Sequence, residues 1–170
     1  EEAQILLTTE DDYLENLSPF DINSRSQRIN STKDDLIKHI SEQVREWTKE
    51  EKEQLTEIFV YIDNCIFENG FKINFPEKVY FVKTTCKEEG EASGYTRANY
   101  VVLKEGLVSN NNVNLKKTVI HELFHILTRW DNNFKEKMYK IIGFKMMNEV
   151  QFPEALKDLK IISPSNVHID

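Results

Sequence analysis

Between Leu115 and Trp130 the chain keeps an apolar pattern at helical spacing, yet it sets two histidines and a glutamate inside that pattern. Ile120, Leu123, Leu127 and Trp130 form one stripe at intervals of three and four, and Val119, Phe124 and Ile126 make the other sides apolar too. A helix of this kind is expected to be buried nearly all round, so the rest of the fold must be built about it. Polar groups within it need partners, because unpaired polar burial is costly. His121 and His125 are four residues apart, which puts both imidazoles on one face, one turn apart. Two neutral imidazoles so placed can take two positions of a tetrahedral zinc. Glu122 is offset around the helix, where its carboxylate can reach a metal-bound water without being a ligand. Zinc lowers the pKa of such a water towards about 7. A carboxylate beside it can accept the proton and pass it to a leaving amine. The segment His121-Glu122-Leu123-Phe124-His125 is an HExxH motif, whose residue types and spacing are both required by that chemistry. Zn2+ is therefore the expected cofactor, and Glu122 the expected general base.

The remainder of the chain reads as one domain with segregated elements. Its 170 residues suit a single core and would be cramped as two. Residues 1–30 give a short apolar segment at Ile5–Leu7, a brief helix near Asp11–Leu17, and a loop from Ser18-Pro19-Phe20-Asp21. Residues 33–46 read as a helix with Leu36, Ile37, Ile40 and Val44 on one side. Thr48 with Glu51 is a capping box, and a helix is expected from there to about Phe67, stopped by Asn69-Gly70. The character changes after Gly70. Val79–Thr85 and Tyr95–Leu103 read as two strands flanking a charged loop. The apolar helix follows, then a helix Phe134–Ile142 ended by Gly143, then a tail with one short helix at Pro153–Leu159. Helices first, strands next and helices last predict an α+β fold, with 1–70 mainly helical and 71–170 holding the strands and the site.

A net charge of −7 and the absence of a basic stripe argue against a nucleic-acid partner. No apolar run approaches a membrane span. The chain starts at Glu1-Glu2 without Met, so its true start is expected upstream, which leaves room for a signal peptide or other leader that was trimmed or omitted. Cys65 and Cys86 are read as two free thiols, with a single disulfide in an exported protein as the alternative.

With the motif placed, the chain resembles the zincin-like metallopeptidases, the gluzincin branch more than the metzincin branch, and also a family of small bacterial proteins. The matching parts are Ser18-Pro19-Phe20-Asp21, Val82-Lys83-Thr84-Thr85, Tyr95-Thr96-Arg97, His121–His125 and Ile142-Gly143-Phe144. The resemblance implies a zincin core: a small sheet whose edge strand, Tyr95–Leu103, borders the cleft beside the metal helix. A peptide substrate is then expected to add to that strand. Tyr95 and Arg97 become candidates for substrate contact or oxyanion stabilisation, with Tyr139 a further donor candidate. Export to the periplasm or medium is the expected location.

Two residues compete for the third ligand position. Glu149 lies 24 residues after His125 and follows Asn148, resembling the downstream Asn-Glu pair of gluzincins; a carboxylate is an accepted third ligand after two histidines. Asp131 lies ten residues after His121, as in metzincins. Thr128 stands at the metzincin glycine position, and ten residues of continuous helix turn roughly 1,000°, aiming Asp131 away. His168 near the chain end and Glu136 on the next helix are weaker candidates. Three functional readings result: an active zinc peptidase, a zinc-stabilised scaffold of zincin fold without activity, and a metal-free helical adaptor with a chance motif.

Overall fold

The computed structural model describes residues 1–109, 113–148 and 151–165. Its core is a four-stranded sheet in the order β1-β2-β4-β3, formed by β1 (Val44–Arg45), β2 (Tyr80–Thr84), β3 (Gly94–Arg97) and β4 (Tyr100–Lys104). β2 and β4 run parallel, while β1 on β2 and β3 on β4 are antiparallel. β3 is therefore an edge of the sheet.

The alternation of side chains along β4 divides the core in two. Tyr100 and Val102 join Val82, Tyr95 and Cys86 on one face. That face is covered by α1 (Glu2–Thr8), α2 (Asp12–Glu15) and α4 (Lys33–Gln43), through Leu7, Tyr13, Leu14, Leu36 and Ile40. Val101 and Leu103 turn to the other face, where α5 (Lys49–Glu68) supplies Leu55 and Ile58, and α7 (Asn114–Trp130) supplies Leu115, Val119, Leu123 and Ile126. The fold is thus α+β, a sheet with helices on both faces, and the acidic N-terminal helices are its covers.

Local chemistry accounts for the helix starts. Thr48 accepts from the Glu51 amide while the Glu51 carboxylate accepts from the Thr48 amide, so α5 begins where the capping box places it. Thr32 and Asp35 make the same arrangement at α4. The loop expected at Ser18–Asp21 is instead helix α3 (Pro19–Ser26), because Ser18 caps it through the Asp21 amide and Pro19 sits in its first turn. α6 (Glu105–Val108) follows β4 directly. α8 (Asn132–Ile141) is capped by Asp131 and ends at Gly143, whose φ of +85° suits a residue without Cβ.

Two further expectations are corrected. The single strand Tyr95–Leu103 is a hairpin: Ala98 takes φ +43° and Asn99 follows it, so Arg97 pairs with Tyr100 and the chain doubles back. The metal-motif helix is not buried all round. α7 lies over the edge strand, so only its Leu115, Val119, Leu123, Ile126 and Leu127 side meets the core; His121 is exposed and Trp130 retains 57% of its surface. Both thiols are free, Cys86 in the core and Cys65 half-buried on α5. Among the described residues, no helix is long and apolar enough to cross a membrane.

Candidate metal centre

β3 and α7 approach closely because residue 94 is glycine. A Cβ there would lie 3.0 Å from the Val102 carbonyl oxygen, 3.1 Å from Thr118 Cγ2 and 3.3 Å from Leu103 Cδ2. Thr118 stands one turn before His121 on α7, so this contact sets the helix that carries the motif against the sheet edge.

On that helix the Nε2 atoms of His121 and His125 lie 3.1 Å apart, with the rings edge to face at 82°. Zn–N bonds of about 2.0–2.1 Å in a tetrahedral site separate two nitrogens by roughly 3.3 Å. The observed pair is within a few tenths of an ångström of that bite. Burial, the neighbouring His121 and Arg129 all hold the His125 pKa below the ordinary imidazole value, which favours the neutral, metal-binding form. Glu122 is buried, and its Oε2 has no hydrogen-bond partner among the described residues. Burial pushes its carboxyl up to about 7, opposed in part by the positive charge of Arg129. A desolvated carboxylate oxygen beside two converging imidazoles is the donor set that a zinc ion and its water would satisfy, so these residues fit the metal.

The three motif residues line a cleft of about 550 Å³ together with Gly94, Tyr95, Arg25 and Glu89. The opposite wall is the segment Ile161–Ser165. This volume falls within the roughly 300–1,000 Å³ of small-ligand sites.

The other candidates are distributed as follows. Tyr95 lines the cleft, but its hydroxyl is buried and donates to Glu88 Oε1 at 3.0 Å. Arg97 is buried; Nε donates to Asp11 Oδ2 at 3.0 Å, Nη1 to the Leu7 carbonyl at 2.9 Å, and its guanidinium lies over the Tyr13 ring. Its hydrogen bonds tie the sheet edge to α1 and α2 rather than reaching towards the motif. Asp131 is spent on capping: its Oδ1 accepts from the Phe134 amide at 3.0 Å. Glu136 is exposed on α8. Tyr139 lines a second cleft of about 370 Å³ on the other side of His125. Among the described residues no third His, Cys, Asp or Glu joins the histidine pair; Glu149 and His168 lie outside the described residues.

Sequence reasoning missed Arg129. It follows His125 by four residues, so it shares the motif's face. It donates to the Ser165 carbonyl at 2.7 Å and the Ala98 carbonyl at 3.1 Å. Its helical spacing could have marked it. Sequence reasoning also missed the buried polar cluster beside the cleft, where Arg25 joins Asp21 and Glu89, and Tyr13 donates to Glu89. Burial raises the Glu89 carboxyl to about 7 against the pull of Arg25. No spacing in the sequence signals this cluster, because its members come from α2, α3 and the turn Lys87–Glu89.

Comparison with models of known protein families, with curated proteins and with solved structures finds no match to this chain.

Proposed function

We propose that the chain is a zinc-dependent hydrolase acting on peptide bonds, with a zincin-like site in which His121 and His125 hold the metal and Glu122 is the general base. The observation that carries this reading is the convergence of two imidazole nitrogens, 3.1 Å apart, beside a buried glutamate oxygen that has no partner among the described residues. Glu149, 24 residues beyond His125, is the proposed third ligand, since Asp131 is occupied as a helix cap. Zinc, when bound, supplies a water acidified towards about 7 and polarises the substrate carbonyl. Glu122 accepts the proton of the attacking water and delivers it to the leaving amine nitrogen. Its burial beside the cleft keeps bulk water from competing for that proton. The cleft between the metal helix and the sheet edge suits an extended peptide chain.

Metal analysis of protein purified without added zinc is expected to give about one zinc per chain, with His121→Ala losing it. A peptide-library digest is expected to show cleavage that falls by about 10²–10⁴-fold in Glu122→Gln, with zinc retained. Bound zinc without cleavage in either protein would leave the scaffold reading in its place. Absence of metal would sink both.

A further inference from the structure

The edge strand beside the metal helix is already in use. The amide of Thr96, at the middle of β3, donates to Ser165 Oγ at 3.0 Å, and Ser163 forms a β-bridge. The segment from Lys160 to Ser165 therefore returns to β3 and turns at Pro164 and Ser165, with Ile162 and Pro164 buried and Ile161 and Ser163 exposed. From Ile161 to Pro164 exposed and buried side chains alternate, as they do along a strand. Its beginning is held by α3: Ser18 Oγ donates to the Lys160 carbonyl at 2.6 Å, Arg25 Nη2 to the Ile162 carbonyl at 2.5 Å, and the Ile162 amide donates to Asp21 Oδ2 at 3.3 Å. Its end is held by the metal helix, where Arg129 donates to the Ser165 carbonyl at 2.7 Å. Pro164 and Ser165 stand between the two clefts and line both, each time with His125.

A segment hydrogen-bonded to the amide of an edge-strand residue, with a main-chain carbonyl held by a cation one turn from a metal-ligand candidate, takes the place a peptide substrate would occupy there. The two ends differ in kind. Ile162 is anchored in the core by its side chain, whereas Ser165 is held only through single polar contacts. We infer that residues 163–165 occupy the peptide lane of the proposed site as a built-in strap, and that Arg129 is a substrate-binding residue whose guanidinium would hold the corresponding carbonyl of a bound peptide. This rests on the peptidase reading for its substrate class. A peptide entering the lane must displace the strap from β3, so its apparent affinity is reduced by the fraction of molecules with the strap in place.

The test reads binding without turnover. A fluorescently labelled hexapeptide of the sequence Lys-Ile-Ile-Ser-Pro-Ser, that of residues 160–165, is titrated by anisotropy into the full-length chain carrying Glu122→Gln, so that the probe is not cut. Adding Ser165→Ala removes the bond from Thr96 and leaves the core untouched. It is expected to tighten probe binding about fivefold, the worth of one neutral hydrogen bond, and to raise amide exchange at Ser163 and Ser165. Arg129→Gln on top of it is expected to weaken binding by tenfold or more, as for a lost charge-assisted bond, with Arg129→Lys recovering part. Equal or weaker binding in Ser165→Ala would overturn the strap. Tighter binding in Arg129→Gln would make Arg129 a latch and remove it from the substrate site. If Ser165→Ala tightens binding while Glu122→Gln leaves every peptide cut at the parent rate, the strap stands and the peptidase reading falls.

Discussion

Gly94 is where a single methyl group should reach the metal helix. In Gly94→Ala the new carbon meets the Val102 carbonyl oxygen at 3.0 Å and Thr118 Cγ2 at 3.1 Å. The oxygen belongs to the backbone of an inner strand and cannot retreat without disturbing the pairing of β4. Leu103 Cδ2 at 3.3 Å is the end of a flexible side chain and can swing aside. The strain therefore falls on α7. Inserting a methyl group into a closely packed contact costs about 1–3 kcal/mol. Replacing glycine also restricts the unfolded chain, which returns about 0.4–1 kcal/mol. The net expectation is a loss of about 0.5–2 kcal/mol, a fall of roughly 1–8 °C in Tm for a chain of this size. Thr118→Ser removes one of the two rigid neighbours, so the double variant should be more stable than the sum of the single changes by about 0.5–1 kcal/mol. Urea titrations of the four proteins at one pH give the cycle, and zinc titration of the same set should show weaker binding in Gly94→Ala alone, since Thr118 precedes His121 by one turn. A Gly94→Ala protein as stable as the parent, or strictly additive effects in the cycle, would refute the claim that this contact sets the helix.

Asp131→Ala should lose the cap of α8 and about 1 kcal/mol of stability while zinc stoichiometry is unchanged; loss of zinc would make Asp131 a ligand after all. The Glu89 carboxyl has a folded-state pKa of about 7 against an unfolded value of 4.5, so the folded chain holds the extra proton between these values. Stability from this group is then greatest below pH 4.5 and declines as pH rises through 7. Glu89→Gln removes that decline. Relative to the variant, the parent should lose about 1–3 kcal/mol between pH 4.5 and pH 8, read from urea midpoints at the two ends. A pH-independent difference would show that Arg25 keeps Glu89 ionised throughout.

The elements legible in the sequence are those whose ends carry their own chemistry. Thr48 and Glu51 announce α5, and Asn69-Gly70 ends it, with Gly70 at φ +63°. Ser18 and Pro19 carry an equally good start signal for α3, but the segment after them is short and polar, so no apolar period backs the signal. The β3–β4 turn is hidden because Ala98-Asn99 lacks the glycine that usually marks a two-residue hairpin, and the strand formers continue on both sides. The clustering of Arg25, Glu89, Tyr13 and Asp21, and the return of residues 160–165 to the edge strand, are products of tertiary packing with no local pattern to give them away.

The metal motif was legible in part for a reason that the structure changes. A helix apolar on all sides implied that three polar residues were trapped inside it and that a metal must relieve them. α7 instead turns one side to the cleft, so His121 has access to water and needs no metal to be satisfied. Glu122 is the residue for which the argument survives: it is 4% exposed and one of its oxygens has no partner among the described residues. An alanine would leave nothing there to satisfy. A glutamate buried there loses hydration, which pushes its carboxyl up to about 7 and leaves the Oε2 atom for a partner at the cleft. The burial of the middle residue of the motif, more than the spacing of its histidines, is therefore the observation on which the proposed reactive site rests.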